Sequence, residues 1–286
     1  MKIRDILKEN EVTLSFEIFP PKTDDKYESV ERAAGKIAAL KPHFMSVTYG
    51  AGGGTSKNTA SLAQELQKEH GTPMLAHLTC VSSTKEFVRE RIAEYRERGI
   101  ENIMALRGDI PADGRSVFDY NYASELITDI KSIDPDICIG GACYPEGHIE
   151  SESPTEDIKN LRKKVDAGCD FLTTQMFFDN STMFSFMYRI REAGINVPVL
   201  AGIMPITNKK QVARSVALSG ATIPQRFRMI VDKFGDDPSK MEQAGVVYAC
   251  EQIIDLISNG VTHVHVYSMN KPRIAEGIMN TLSSIL

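Results

Sequence analysis

No stretch of this 286-residue sequence reaches the roughly 18 consecutive apolar residues that a membrane-spanning helix requires. The opening segment, MKIRDILKENE, is charged throughout and has no apolar run, so a secretory signal is not expected. A basic excess is missing too: 33 Lys and Arg against 38 Asp and Glu give a formal charge of -5. That balance offers no general attraction to nucleic acid or anionic membranes and argues against both as partners. The five cysteines, Cys80, Cys138, Cys143, Cys169 and Cys250, form no C-x-x-C pair. Their odd number points to free thiols in a reducing compartment rather than a disulfide framework, so the expected location is cytoplasmic. No linker divides the chain into halves, and no low-complexity tail or long internal repeat stands out.

What is present is a rhythm. Hydrophobic residues make up 42% of the chain, enough for a sizeable core, and they fall into short apolar strands alternating with amphipathic helices. The strands are expected at 12–19, 44–49, 74–79, 102–106, 137–143, 171–174, 197–202 and 261–267. Helices are expected near 24–39, 57–70, 84–98, 120–132, 155–167, 180–193, 208–218 and 271–284. The long interval between strands seven and eight reads as two extra helices, near 224–234 and 239–258. Eight strands with crossover helices match an α/β fold of the (β/α)8 barrel type, with residues 1–286 as a single domain. Strand counting cannot show closure, so an open doubly wound sheet is the rival. Against it, no Gly-rich fingerprint follows the first strand.

In a barrel of this kind, chemistry belongs at the C-terminal ends of the strands. Unusual polar residues recur there: Glu17 on strand one, Thr48 and Tyr49 on two, His77 and Thr79 on three. Arg107 and Asp109 follow strand four, Tyr144 and His148 strand five, and Gln175 strand six. Glu17 is the sharpest case, an ionisable group within the apolar run LSFEIFPPK, where burial costs several kcal/mol unless the group is paired, hydrogen-bonded or protonated. GAGGGTSK at 50–57 lacks the glycine that a Walker loop needs directly before its lysine, and is read as a turn. His263 and His265 share one face of THVHVY, but neither they nor His77 with Cys80 have a clear third metal ligand, so packed or hydrogen-bonded histidines are expected and no metal site. Composition and spacing support a small-molecule enzyme without selecting its reaction.

The segments SFEIFPPK, VTYGAGGG, HLTC, ALRGD, YPEGH, NLRKKVDAGCDFLTTQMFFD, AGIMPITNKKQ and HVYSMNKP occur in an order and spacing that resembles methylenetetrahydrofolate reductase over nearly the whole chain. The resemblance implies a catalytic barrel without a regulatory domain, holding FAD at its C-terminal face. NADH or NADPH, with NADH expected, reduces the flavin and leaves. 5,10-Methylenetetrahydrofolate then takes its place in a ping-pong scheme and is reduced to 5-methyltetrahydrofolate. Carried over motif by motif, the expected FAD contacts are Thr48, His77, Arg107, Gly108, Asp109, Tyr122, Ala123, Tyr144, His148, Asp157, Asn160, Lys163 and Lys164. Glu17, Asp109, Gln175, Gln211 and Lys271 correspond to folate-binding positions.

Glu17 is the implied general acid, and Asp109 the anion implied to lower the flavin potential and favour a cationic folate. The alternative for Glu17 is a structural ion pair with Arg107 or a lysine. Lys271 and Ser215 stand where relatives carry an arginine and a stacking phenylalanine. Relatives also imply self-association, and some act with other redox proteins. A pterin-binding methyltransferase barrel without FAD, and a flavin-bearing subunit of a larger redox complex, are the competing readings.

Overall fold

Alternation along the strands sets the architecture. On β1 (Thr13–Ile18), Leu14, Phe16 and Ile18 point one way and Thr13, Ser15 and Glu17 the other, with every residue buried. Such a strand needs cover on both faces, which a parallel sheet wrapped by helices provides. The computed structural model, which describes residues 1–21, 23–49, 56–111 and 114–286, has that arrangement. The other strands are β2 (Phe44–Val47), β3 (Met74–Thr79), β4 (Asn102–Leu106), β5 (Cys138–Cys143), β6 (Phe171–Thr174), β7 (Val199–Ile203) and β8 (His263–Tyr267). All eight pair in parallel, in sequence order, and β8 returns to β1 to close the barrel. The open-sheet rival is thereby excluded.

The helices follow the expected order, with one addition. They are α1 (Ile3–Glu9), α2 (Tyr27–Ala38), α3 (Ser56–His70), α4 (Lys85–Glu97), α5 (Ala123–Ile133), α6 (Pro154–Asp166), α7 (Asn180–Glu192), α8 (Lys209–Ser219), α9 (Gln225–Phe234), α10 (Pro238–Ser258) and α11 (Pro272–Leu282). No helix among the described residues is long and apolar enough to cross a membrane. α4 shows how local chemistry bounds an element: the Thr84 side chain accepts from Phe87 N at 3.0 Å, and Gly99 takes the left-handed turn after it at φ 73.

The addition is α1, which the charged N-terminal segment concealed. Ile3, Ile6 and Leu7 share one face and bury against Phe44, Leu75, Met104, Phe171 and Leu200, the apolar layer on the barrel floor. Each such burial contributes about 2 kcal/mol. Asn102 ties the helix down, accepting from Ile3 N at 2.8 Å and donating to Met1 O at 3.1 Å. With the floor sealed by apolar side chains, the polar inward residues lie above it, toward the C-terminal rim.

Candidate active site

That rim opens into a cavity of about 940 Å³. Glu17, Thr48, His77, Arg107, Gly108, Asp109, Tyr144, His148 and Gln175 line it, joining residues from six successive strands or the loops after them. The volume is at the upper end for a small-molecule site. The glycine-rich segment 50–55 lies outside the described residues.

Glu17 forms one wall and is 8% exposed. Its Oε2 lies 3.7 Å from His77 Nε2 and 4.0 Å from His265 Nε2. Burial pushes the Glu17 carboxyl up to about 8 and holds each imidazole down near 3. At neutral pH the three groups therefore meet as a carboxylic acid and two uncharged rings. Among the described residues no cation pairs with Glu17; Arg107 is engaged elsewhere. The structural ion pair weighed from the sequence is absent from that set. His265 is hydrogen-bonded to Ser15 and Ser46, and His263 to Thr13, so the expectation of packed or hydrogen-bonded histidines holds for both.

Arg107 forms a two-pronged pair with Glu150, at 2.5 and 2.9 Å, and donates from Nε to Gly108 O. Gly108 has φ 87, and a Cβ there would stand 2.8 Å from Val81 and 3.0 Å from Thr79, so only glycine lets this loop lie on β3. Tyr144 meets His148 edge to face at 4.5 Å. These residues fit a flavin dinucleotide in kind: a guanidinium for phosphate once it leaves Glu150, hydroxyls for a sugar-like chain, and His77 Nε2, which has no hydrogen-bond partner among the described residues. Thr48, His77, Arg107, Gly108, Tyr144 and His148 are the residues that could hold it.

The other sequence candidates stand away from this lining. Tyr122, 62% exposed, precedes α5, of which Ala123 is the first residue. On α6, Lys163 donates to Asn160 at 2.8 Å, Asp157 accepts from Ser151, and Lys164 turns inward to donate to Ala142 O at 2.8 Å, its pKa lowered by burial. Gln211 Oε1 accepts from Thr207 N and Asn208 N as part of the α8 cap. Lys271 donates to Thr207 Oγ1 at 2.8 Å. Thr207 thus joins the two outlying folate candidates, a link no sequence spacing suggested. Ser215 is buried within α8 and is not among the cavity residues. Sequence reasoning passed over His265 and Tyr267 as parts of the site; the period of two in THVHVY carried that signal, since it puts both on one face of β8, and Tyr267 pairs with Glu17 in the β1–β8 register.

The buried acid and its imidazoles also predict a pH dependence of stability. Glu17 rises from its ordinary 4.5 to about 8 on folding, so the folded state keeps a proton the unfolded chain releases, and stability falls as pH rises through that window. His77 and His265 fall from 6.5 to about 3, so their contribution is lost as pH falls through that range. Together these groups place maximal stability near pH 6.5. Glu17→Gln is expected to remove the alkaline loss, an effect of a few kcal/mol in order of magnitude. Urea denaturation of both proteins from pH 5 to 9 checks this; parallel pH curves would refute it.

The family whose profile matches the chain, over residues 2–283, is described as methylenetetrahydrofolate reductase. The 5,10-methylenetetrahydrofolate reductase of Pectobacterium carotovorum is 34% identical over 271 residues, covering 95% of this chain and 90% of that one. The Arabidopsis thaliana protein named methylenetetrahydrofolate reductase (NADH) 1 is 33% identical over 301 residues, covering 99% of this chain and 50% of that longer one. A solved structure from Clostridium thermocellum, described as an uncharacterised protein that binds two copies of 5-methyl-5,6,7,8-tetrahydrofolic acid, superposes over 100% of both chains with a TM-score of 0.70. At 15% identity it shares the fold.

Proposed function

The chain belongs to the methylenetetrahydrofolate reductase family, and from that premise we propose that it reduces 5,10-methylenetetrahydrofolate using FAD and NADH, with Glu17 as general acid. The observation that carries the acid assignment is Glu17 itself: buried in the cavity wall, faced by two neutral imidazoles, and without a cation among the described residues. An unpaired carboxyl kept protonated near neutral pH is a proton donor in waiting.

FAD, when bound, supplies hydride transfer between the nicotinamide and the folate carbon. The protein's own part is binding, orientation and proton delivery. Arg107 would meet the pyrophosphate by giving up its pairing with Glu150, and Thr48 and His77 would stand at the flavin's polar edges. Gln175 and Asp109 would provide a carboxamide and a carboxylate for the pterin, and Gln211 and Lys271, joined by Thr207 outside the cavity lining, are the further folate candidates. The imidazolidine ring of the substrate must open before its carbon accepts hydride. A proton passed from the Glu17 carboxyl to N10 lets that amine leave and exposes a 5-iminium cation, which the Asp109 carboxylate favours. The NADH assignment is supported by the Arabidopsis relative's name.

The purified protein is expected to release FAD, rather than FMN, on denaturation, read by chromatography. Mixed anaerobically, it should oxidise NADH, and NADPH more slowly. Stoichiometric FMN would overturn the cofactor assignment. Failure of both nucleotides, with rapid reduction by a redox protein, would overturn the donor.

A further inference from the structure

His265 has a different partner for each ring nitrogen. The ring is 2% exposed and stacks on Phe44 with centroids 5.9 Å apart. Its Nδ1 lies 2.7 Å from Ser15 Oγ, and its Nε2 lies 3.0 Å from Ser46 Oγ. Ser15 has one hydroxyl proton, with Val264 O at 3.1 Å and His265 Nδ1 at 2.7 Å both within its reach. If the proton goes to Val264 O, Ser15 accepts from His265 and Nδ1 carries the hydrogen. Burial keeps the ring neutral, which then leaves Nε2 bare, accepting from Ser46. This bare nitrogen faces Glu17 Oε2 at 4.0 Å.

The tautomer decides a sign. A lone pair facing the carboxyl repels the carboxylate and favours the O–H form, whereas an N–H there would favour the carboxylate. We propose that Ser15 fixes His265 as the Nδ1–H tautomer, and that the bare Nε2 so presented holds Glu17 in its proton-donating form. Ser15 and His265 are then positioning residues; neither lines the cavity. The inference rests on the reading of Glu17 as the acid. The other titratable groups around Glu17 include no cation among the described residues. His77 on β3 presents Nε2 at 3.7 Å, Tyr267 on β8 is kept neutral by burial, and Asp109 after β4 lines the same cavity. β2 and the residues after it bring hydroxyls there among the described residues, from Ser46, Thr48 and Tyr49.

Two-bond proton–nitrogen NMR of the ring-labelled holoprotein reads the tautomer directly, and wild type is expected to show His265 as Nδ1–H. Ser15→Ala removes the acceptor, and because the Ser46 hydroxyl can accept as readily as donate, the ring is expected to shift to Nε2–H. The pH at which folate reduction declines should then fall by about one unit, a roughly tenfold lower rate at alkaline pH. NADH oxidation in the folate-free half-reaction should be unchanged. An Nε2–H or protonated His265 in wild type overturns the proposal, and so does a tautomer shift in Ser15→Ala without movement of the pH limb. The wild-type spectrum stands as a test even where the variant does not fold. Folate reduction that survives Glu17→Gln would instead remove the reading of Glu17 on which the proposal rests, so the two failures are separable.

Discussion

Glu17→Gln is expected to leave FAD content and NADH oxidation near normal while cutting folate reduction by more than about 100-fold, the usual scale for a positioned acid. The substitution keeps the size of the side chain and its capacity to hydrogen-bond but removes the transferable proton. Its selectivity between the two half-reactions follows from the site. Oxidising NADH requires no ring opening, so the half-reaction that reduces the protein has no use for the acid. Loss of a buried ion pair would disturb both halves through the structure, but Arg107 pairs with Glu150, and Glu17 faces only imidazoles at ion-pair distance among the described residues. The gain in alkaline stability expected of the same variant further separates lost chemistry from lost folding. Stopped-flow measurement of each half-reaction gives the answer; folate reduction within a few-fold of wild type would remove Glu17 as the essential acid.

The second large effect is expected at Gly245→Ala. Gly245 lies in the middle of α10, where alanine would ordinarily stabilise a helix by about 1 kcal/mol. Here a Cβ would stand 1.8 Å from Ile206 O and 2.8 Å from its carbonyl carbon, and backbone cannot swing aside as a side chain can. α10 must shift off the end of β7, at a cost of about 3 kcal/mol or more. Thr207, which joins Gln211 to Lys271, is the next residue. Weaker folate binding should therefore accompany the lower thermal midpoint. Thermal denaturation and a folate titration measure the two. Stability within about 1 kcal/mol of wild type would show that α10 is not seated on Ile206 as described.

These two residues mark the range of what could be read in advance. Glu17 was legible because an ionisable residue in an apolar strand is locally anomalous, and because LSFEIFPPK resembles a family motif. Gly245 was not: in AGVVYACEQ a lone glycine reads as a mild helix weakness, and the carbonyl that requires it is 39 residues away in sequence. The N-terminal helix α1 escaped for a related reason. Its two turns carry only Ile3, Ile6 and Leu7 on one face, a pattern too short to stand out until the barrel floor it seals is present. Lys163 and Lys164 show the limit of spacing on a helix. Adjacent in sequence, they diverge, one to Asn160 at the surface and the other inward to Ala142 O.

By itself the sequence determined the alternation of strand and helix, the placement of polar residues at successive strand ends, and, through its motifs, the family. Each depends on periods of 2.0 and 3.6 residues or on short contiguous segments, and so is written locally. Tertiary structure alone decided that β8 closes on β1, and closure is what brings His265 to within 4.0 Å of a carboxyl 248 positions earlier. It also decided that Arg107 turns to Glu150 rather than to Glu17. Charge state and tautomer followed from those neighbours, because desolvation and hydrogen-bond direction belong to a place in the fold, not to a residue in a string.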